Sequence, residues 1–191
     1  MVAAFGLRAH SGWAVMVAVS GGSAILRRRI VMIRGPGDPA KQPYHSAEGM
    51  KLPQAEAFLE RTEAAAVEMA AAAMKDAVAT LFREGRRVDR AAVLLGSGKP
   101  LPELARILAA HPLIHTAEGV FFRNVLSRAC DACGLAVEGI KEREVLERCA
   151  AALRIPAVEL AVRLSAMGKT LGPPWTQDEK LSAAAALVIS R

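Results

Sequence analysis

The chain has 191 residues, 52% of them hydrophobic, which is enough to bury the core of one domain. Its formal net charge of +6 permits an anionic partner without requiring one, and its aromatic content of 4% leaves few side chains for stacking on bases. Three cysteines, an odd number, exclude a complete disulfide framework and favour the cytoplasm, and the lack of ~20 continuous apolar residues excludes a membrane span and a membrane partner.

Three apolar segments rich in valine and isoleucine open the chain, and turns containing glycine and serine separate them. This pattern predicts an antiparallel meander of strands at 2–8, 13–19 and 24–34. Three consecutive arginines, at 27–29, predict that the third strand lies at an exposed edge of the sheet, where charge also discourages edge-to-edge aggregation.

From residue 50 onward, helical periodicity alternates with two more short apolar runs. The spacing predicts strands at 88–95 and 135–140. Helices are predicted at 53–84, 102–110, 118–133, 142–153, 157–167 and 177–189. A meander that leads into alternating helices and strands predicts a mixed sheet with helices on its faces.

The opening hairpin reads Phe5-Gly6-Leu7-Arg8-Ala9-His10-Ser11-Gly12-Trp13-Ala14-Val15, and an Asp-Glu-Lys-Leu-Ser segment followed by an alanine run, 178–187, lies near the end of the chain. With the order of elements, these segments resemble the ribonuclease H-like superfamily, nearest to RuvC-type resolvase-like domains. The resemblance implies one domain over 1–191, with helices at about 157–190 packed on it. It implies an α/β fold with a mixed five-stranded sheet, a three-strand antiparallel meander and then two parallel strands, flanked by helices.

The resemblance also implies acidic side chains that hold two divalent metals for hydrolysis. The first of the family's aspartates corresponds to Arg8, a permanent cation that cannot ligate Mg²⁺. The acid expected after the fourth strand falls near Gly96 or Ser97, neither of which is acidic. The acid of the last helix falls near Ser182, although Asp178 and Glu179 lie one turn earlier. We therefore predict that the acidic metal-binding residues are not retained and that two-metal nuclease activity is absent.

Two pentapeptides, His-Ser-Ala-Glu-Gly at 45–49 and His-Thr-Ala-Glu-Gly at 115–119, are nearly identical. His and Glu three positions apart share a helix face, so each pair could present a base beside an acid, or two metal ligands. If the pairs converge with the histidine of the first turn, they form a rebuilt hydrolytic site, in which imidazole would favour Zn²⁺ or Mn²⁺ over Mg²⁺. Its catalytic residues would be His10, His45, Glu48, His115 and Glu118. The alternative is local: Ser46 and Thr116 act as helix N-caps, and the glutamates favour the helix dipole.

An anionic ligand is a further candidate. Arg8, at the end of a central strand, needs a negative partner, which is either a ligand or the carboxylate of Glu48, Glu118 or Asp178. The loop 96–100, Gly-Ser-Gly-Lys-Pro, either holds a phosphate on its backbone N–H groups, as actin-like relatives of the fold do, or is a plain strand-to-helix turn. The candidate ligand-binding residues are Arg8, Ser11, Ser97, Lys99 and Asp178.

Three functions remain open. The first is a catalytically degenerate resolvase-like domain, a pseudoenzyme that binds nucleic acid or a partner protein, and we rank it above the others. The second is the rebuilt His/Glu hydrolase, and the third is a binder of a phosphorylated small molecule. Candidate partners are nucleic acid, another anionic molecule and a second copy of the chain in a homodimer; the sequence assigns no cofactor.

Overall fold

The computed structural model describes residues 1–35 and 37–190. Its strands are β1 (Val2–His10), β2 (Trp13–Ser20), β3 (Ser23–Val31), β4 (Arg87–Leu95) and β5 (Ala136–Lys141). They form a five-stranded sheet in the spatial order β3-β2-β1-β4-β5. The first three strands pair antiparallel, and β1, β4 and β5 run parallel. The predicted meander followed by two parallel strands is therefore confirmed, although the third strand ends at Val31, short of the predicted 34.

The helices cover the two faces of this sheet. They are α1 (Pro43–Ala47), α2 (Leu52–Arg83), α3 (Leu104–Leu108), α4 (His111–Asp131), α5 (Val145–Leu153), α6 (Ala157–Met167) and α7 (Gln177–Ile189). The prediction that a helix starts at 118 was wrong: α4 begins at His111, because Pro112 occupies its first turn, where a missing N–H is tolerated. Within the described residues, no helix is both long and apolar enough to cross a membrane.

Alternation along β1 sends side chains to two separate cores. Phe5 and Leu7 pack with residues of α2 and α4 on one face. Ala4 packs with residues of α5, α6 and α7 on the other. Successive side chains of a strand point to opposite faces, so a strand buried on both sides is apolar throughout. This explains why β1 and β2 read as continuous apolar runs.

A glycine in β1 allows α7 to lie directly on the sheet. A Cβ placed on Gly6 would come within 1.8 Å of the Ser182 carbonyl oxygen, which belongs to the backbone of α7. Glycine is the residue that permits so close an approach of two backbones. Since Arg8 follows Gly6 by two positions, its side chain leaves the same face, toward the start of α7.

The edge position of β3 is confirmed. Of its three arginines, Arg27 donates to the carbonyl oxygens of Gly172 at 2.9 Å and of Pro174. The Arg29 guanidinium lies 3.7 Å from the centroid of a Trp13 ring. Arg28 pairs with Asp76 at 3.8 Å, so all three arginines make contacts within the fold.

The carboxyl ends of β1, β4 and β5 meet at one edge of the sheet because the three strands are parallel. The strands end at His10, Leu95 and Lys141. In open α/β sheets, ligands bind outside the carboxyl ends of the strands. The polar side chains at this edge therefore define the candidate site.

Candidate functional site

An ion-pair network fills the end of β1. Arg8 donates from Nε and Nη2 to the two carboxylate oxygens of Glu142, at 3.0 and 2.9 Å, and from Nη1 to Asp178 Oδ1 at 2.5 Å. His10 donates from Nε2 to the other Asp178 oxygen at 2.9 Å. The hydrogen bond with Glu142 is the largest cause that raises the pKa of Arg8, and the charge of Asp178 adds to it. Of the three partners considered for Arg8, the structure supplies Asp178, and it adds Glu142.

This network does not fit a pair of Mg²⁺ ions. All four carboxylate oxygens of Glu142 and Asp178 already accept hydrogen bonds from Arg8 or His10. A guanidinium offers no lone pair to a metal, and its charge repels a cation. Among the described residues, one group of three potential metal ligands lies close enough together to share an ion. It consists of histidines and lies outside the Arg8 network.

That group is His45, His111 and His115, hereafter the histidine cluster. The nitrogen atoms that the three could offer lie within 4.8 Å of one another. The centroid of the His45 ring lies 5.2 Å from that of His111 and 4.8 Å from that of His115. The centroids of the His111 and His115 rings are 4.6 Å apart. His111 and His115 are four positions apart on α4 and therefore share a face, whereas α1 supplies His45.

Glu118 is buried beneath the histidine cluster. Its Oε1 accepts hydrogen bonds from the Tyr44 backbone N–H at 2.9 Å, from the His45 backbone N–H at 3.1 Å and from His45 Nδ1 at 3.1 Å. Its Oε2 is buried and has no hydrogen-bond partner among the described residues. Burial raises the pKa of Glu118, although the hydrogen bonds from His45 act in the opposite direction.

A cavity of about 260 Å³ joins the histidine cluster to the end of β1. It is lined by His10, Ser11, His45, His115 and Glu118, among others. The structure thus brings together four of the five residues predicted for a rebuilt hydrolytic site, with Ser11 beside them. The fifth, Glu48, is exposed just beyond α1 and does not line this cavity.

The interpretation of Ser46 and Thr116 as N-caps was wrong. Ser46 lies in the last turn of α1, where its hydroxyl donates to the Pro39 carbonyl oxygen at 2.8 Å. Thr116 lies inside α4 and donates to the Pro112 carbonyl oxygen at 3.0 Å. Neither hydroxyl accepts from a helix N-terminus, so capping does not explain the repeated pentapeptide.

The loop after β4 borders a second cavity, of about 620 Å³, together with α4. Lys99 lines it, whereas Ser97 is exposed and does not. The Arg123 guanidinium lies between the loop and α4: a Cβ on Gly96 would come 3.2 Å from Arg123 Nη1, and one on Gly119 would come 2.9 Å from it.

Arg123 is a half-buried cation without a direct partner among the described residues. Burial lowers the pKa of Arg123, the neighbouring charge of Glu142 raises it, and that of Arg8 lowers it. Within residues 1–35 and 37–190, no hydrogen bond or ion pair of its guanidinium is formed. The cavity is therefore lined by a positive charge that an anion would satisfy.

Sequence reasoning missed three residues of this region: His111, Arg123 and Glu142. His111 precedes His115 by four positions, which is a helical signal, but the predicted helix began only at 118 and so left both histidines outside it. Arg123 continues the same stripe of α4, eight positions after His115. Glu142 follows β5 directly, and the parallel topology was the signal that placed it beside the end of β1.

The sequence matches no protein-family model, and it matches no curated protein. Two solved structures are similar in fold. RuvC of Thermus thermophilus in complex with a Holliday junction substrate has a TM-score of 0.52 and 14% sequence identity, over 98% of this chain and 92% of that one. A second Thermus thermophilus RuvC structure has a TM-score of 0.48 and 13% identity, over 97% of this chain and 92% of that one. The first of these two similarities shows that the fold is the ribonuclease H-like fold of RuvC.

Proposed function

We propose that this RuvC-like domain binds the phosphate backbone of nucleic acid at the carboxyl edge of its sheet and does not cleave it by a two-metal mechanism. One observation carries the proposal: two guanidinium groups lie at this edge. The Arg8 guanidinium occupies the carboxylates of Glu142 and Asp178. In the part of the chain that the structure describes, the Arg123 guanidinium has no carboxylate bound to it. Arg8 thus makes these carboxylates unavailable as metal ligands, and Arg123 offers a positive charge to an anion.

The surroundings of Arg123 suit a phosphate. A half-buried guanidinium without a partner is unfavourable, and a phosphate oxygen would restore the hydrogen bonds lost from water. Lys99 lines the same cavity, as do Gly96 and Gly98 of the loop before it. Backbone N–H groups of such a loop, where they face the cavity, would add donors for a phosphate. The overall charge of +6 would attract a polyanion from a distance.

The fold comparison indicates which nucleic acid to test first. The similar structure of Thermus thermophilus RuvC contains a Holliday junction substrate. A four-way DNA junction is therefore the first ligand, beside duplex and single-stranded DNA of the same sequence. The low aromatic content argues against a preference for single strands bound by base stacking.

Fluorescence anisotropy of labelled DNA tests the proposal. We expect binding that weakens steeply with salt, because phosphate contacts release counterions. Arg123→Gln is expected to weaken binding about tenfold, the size of one lost charged hydrogen bond. The matched control is Arg128→Gln on the same helix, whose arginine is exposed and pairs with Glu63 at 2.9 Å. Equal loss in both variants, or no binding at low salt, would reject the proposed interface.

A phosphorylated small molecule is the alternative occupant of the Arg123 cavity. At millimolar concentration, such a molecule would raise the melting temperature of the protein. If it is the true ligand, short duplex DNA should displace it no better than a free nucleotide does. A panel of nucleotides and sugar phosphates in a thermal-shift assay, repeated with Arg123→Gln, separates the two ligands.

One observation favours a second function, hydrolysis. His10, His45, His115 and Glu118 line one cavity, which gives it groups able to transfer protons near neutral pH. Turnover of carboxylic or phosphoric ester substrates that His10→Ala reduces would support it. If the wild type and His10→Ala hydrolyse every substrate of such a panel at equal rates, the hydrolytic function is rejected.

A further inference from the structure

We propose that the histidine cluster, His45, His111 and His115, binds one divalent transition-metal ion, and that zinc is the ion whose chemistry it fits best. The site lies beside the Arg8 network and shares no ligand with it. This inference goes beyond nucleic-acid binding and does not depend on it, since it concerns different side chains.

The geometry of the cluster matches a shared ion. The Nε2 atoms of His111 and His115 are 3.1 Å apart. Two nitrogens bound at ~2.0–2.1 Å to one tetrahedral zinc are separated by about 3.3 Å, so these two rings need little movement. His45 approaches from α1, and the nitrogens of all three lie within 4.8 Å of one another.

Glu118 supplies the second, independent observation. The Nδ1–H of His45 donates to Glu118 Oε1 at 3.1 Å, so the lone pair of His45 lies on Nε2 and is available to a metal. Metal-bound histidines characteristically donate their other N–H group to a carboxylate, which fixes the ring and increases its basicity. The Glu118 side chain is only 8% exposed, and its Oε2 has no hydrogen-bond partner within residues 1–35 and 37–190. A cation at the cluster would stabilise this buried charge.

The ligand set selects the metal. Three imidazole nitrogens suit Zn²⁺, Co²⁺, Ni²⁺ or Cu²⁺, whereas Mg²⁺ and Ca²⁺ prefer oxygen ligands. His45 is half-buried, and His111 and His115 are exposed. His45 and His115 also line the cavity that reaches His10. Three protein ligands with an exposed side leave a fourth position open for water, as in catalytic zinc sites.

Titration of the untagged protein with Zn²⁺ by calorimetry tests the proposal, because an affinity tag of histidines would bind the same ions. We expect one ion per chain. Co²⁺ should give the intense visible absorption of a four-coordinate ion, without the thiolate charge-transfer band that cysteine ligands produce.

Variants assign the ligands. His111→Ala and His115→Ala, both at exposed positions, should each weaken Zn²⁺ binding at least 100-fold while the circular dichroism spectrum stays that of the wild type. Glu118→Gln should weaken it about 10- to 100-fold, because it alters only the support of His45. The matched control is His10→Ala, which removes the one histidine outside the cluster and should leave the affinity for Zn²⁺ within about twofold.

Three results would overturn the proposal. The first is no stoichiometric binding of either Zn²⁺ or Co²⁺ to the wild-type protein. The second is binding that survives both His111→Ala and His115→Ala. The third is an equal loss in His10→Ala, which would place the ion at the end of β1 and not at the histidine cluster.

Discussion

Arg8 Nη1 and Asp178 Oδ1 form an ion pair of 2.5 Å between residues 170 positions apart in the sequence. The packing of α7 on β1 determines their meeting. Gly6 faces the backbone at Ser182, and moving two residues along the strand and one turn back along the helix leads to Arg8 and Asp178. The pair is therefore a consequence of the fold's central contact, and its charges decide what the edge of the sheet can bind.

Loss of the Arg8 guanidinium is expected to destabilise the protein. Arg8→Gln leaves the carboxylates of Glu142 and Asp178 without their common cation, and a lost hydrogen bond to a charged group is worth about 1.5–3 kcal/mol. Partial exposure of the network reduces the expected effect to about 1–3 kcal/mol. Urea unfolding measures it, with the exposed Arg143→Gln as control. Equal stability of Arg8→Gln and wild type would show that the network contributes nothing.

Reversing the charge at position 8 should create affinity for Mg²⁺. Arg8→Asp places a third carboxylate beside those of Glu142 and Asp178, the oxygen ligands that Mg²⁺ prefers. Mg²⁺ at ten times its dissociation constant would add about 1.4 kcal/mol, or about 3–6 °C in melting temperature. The wild type and Arg8→Asn should show no such shift. If all three respond alike to Mg²⁺, Arg8 is not what prevents the ion from binding.

The close packing of α7 on β1 predicts an intolerant glycine. A Cβ on Gly6 would overlap the Ser182 carbonyl oxygen, and backbone atoms cannot move aside cheaply. We expect Gly6→Ala to lower the free energy of unfolding by more than about 4 kcal/mol. In the control Gly139→Ala on β5, the nearest atom is Leu95 Cδ1 at 2.6 Å, the end of a flexible side chain, so the loss should be much smaller. Similar losses in denaturant titrations would contradict this packing.

The start of α7 should contribute stability that depends on pH. Glu179 Oε2 accepts from the Thr176 backbone N–H at 2.7 Å and from its hydroxyl at 2.6 Å. Burial alone would raise the pKa of Glu179, but these hydrogen bonds outweigh it and lower the pKa. A carboxyl whose pKa is lower in the folded state stabilises the protein above its unfolded pKa of about 4.3 and loses this effect as pH falls through the folded value.

Glu179→Gln is therefore expected to lower the free energy of unfolding by about 1 kcal/mol at pH 7, a typical value for a helix cap. The difference from wild type should shrink as the pH falls below about 4. Unfolding in urea at pH 7 and pH 3 measures the difference from wild type. The exposed Glu159→Gln, in the first turn of α6, is the control. A difference that grows as the pH falls would contradict the assigned hydrogen bonds.

Most of the fold was predictable because its signals are local. Glycine and serine turns separate the strands of the meander, and Gly85 and Gly134 follow the two longest helices with positive φ. The start of α4 was not predictable in this way, because a proline is equally consistent with a boundary between helices and with a first helical turn.

The site was predictable only where the sequence repeats itself. The two histidine pentapeptides pointed to His45, His115 and Glu118, and the structure brings these three together. Glu48 was included by analogy with Glu118, yet the first pentapeptide ends α1 whereas the second lies inside α4, so their glutamates point differently. Long-range pairing, such as that of Arg8 with Glu142, depends on strand order and has no local signal.

Binding and cleavage of a labelled four-way DNA junction in the same Mg²⁺-containing samples test the central proposal most directly. Anisotropy reports binding, and a denaturing gel reports cleavage. We predict salt-dependent binding that Arg123→Gln weakens and Arg128→Gln does not, with the DNA intact throughout. Cleavage in Mg²⁺ that Asp178→Asn abolishes would contradict the account, because it would mean that Arg8 does not prevent two-metal chemistry at this edge.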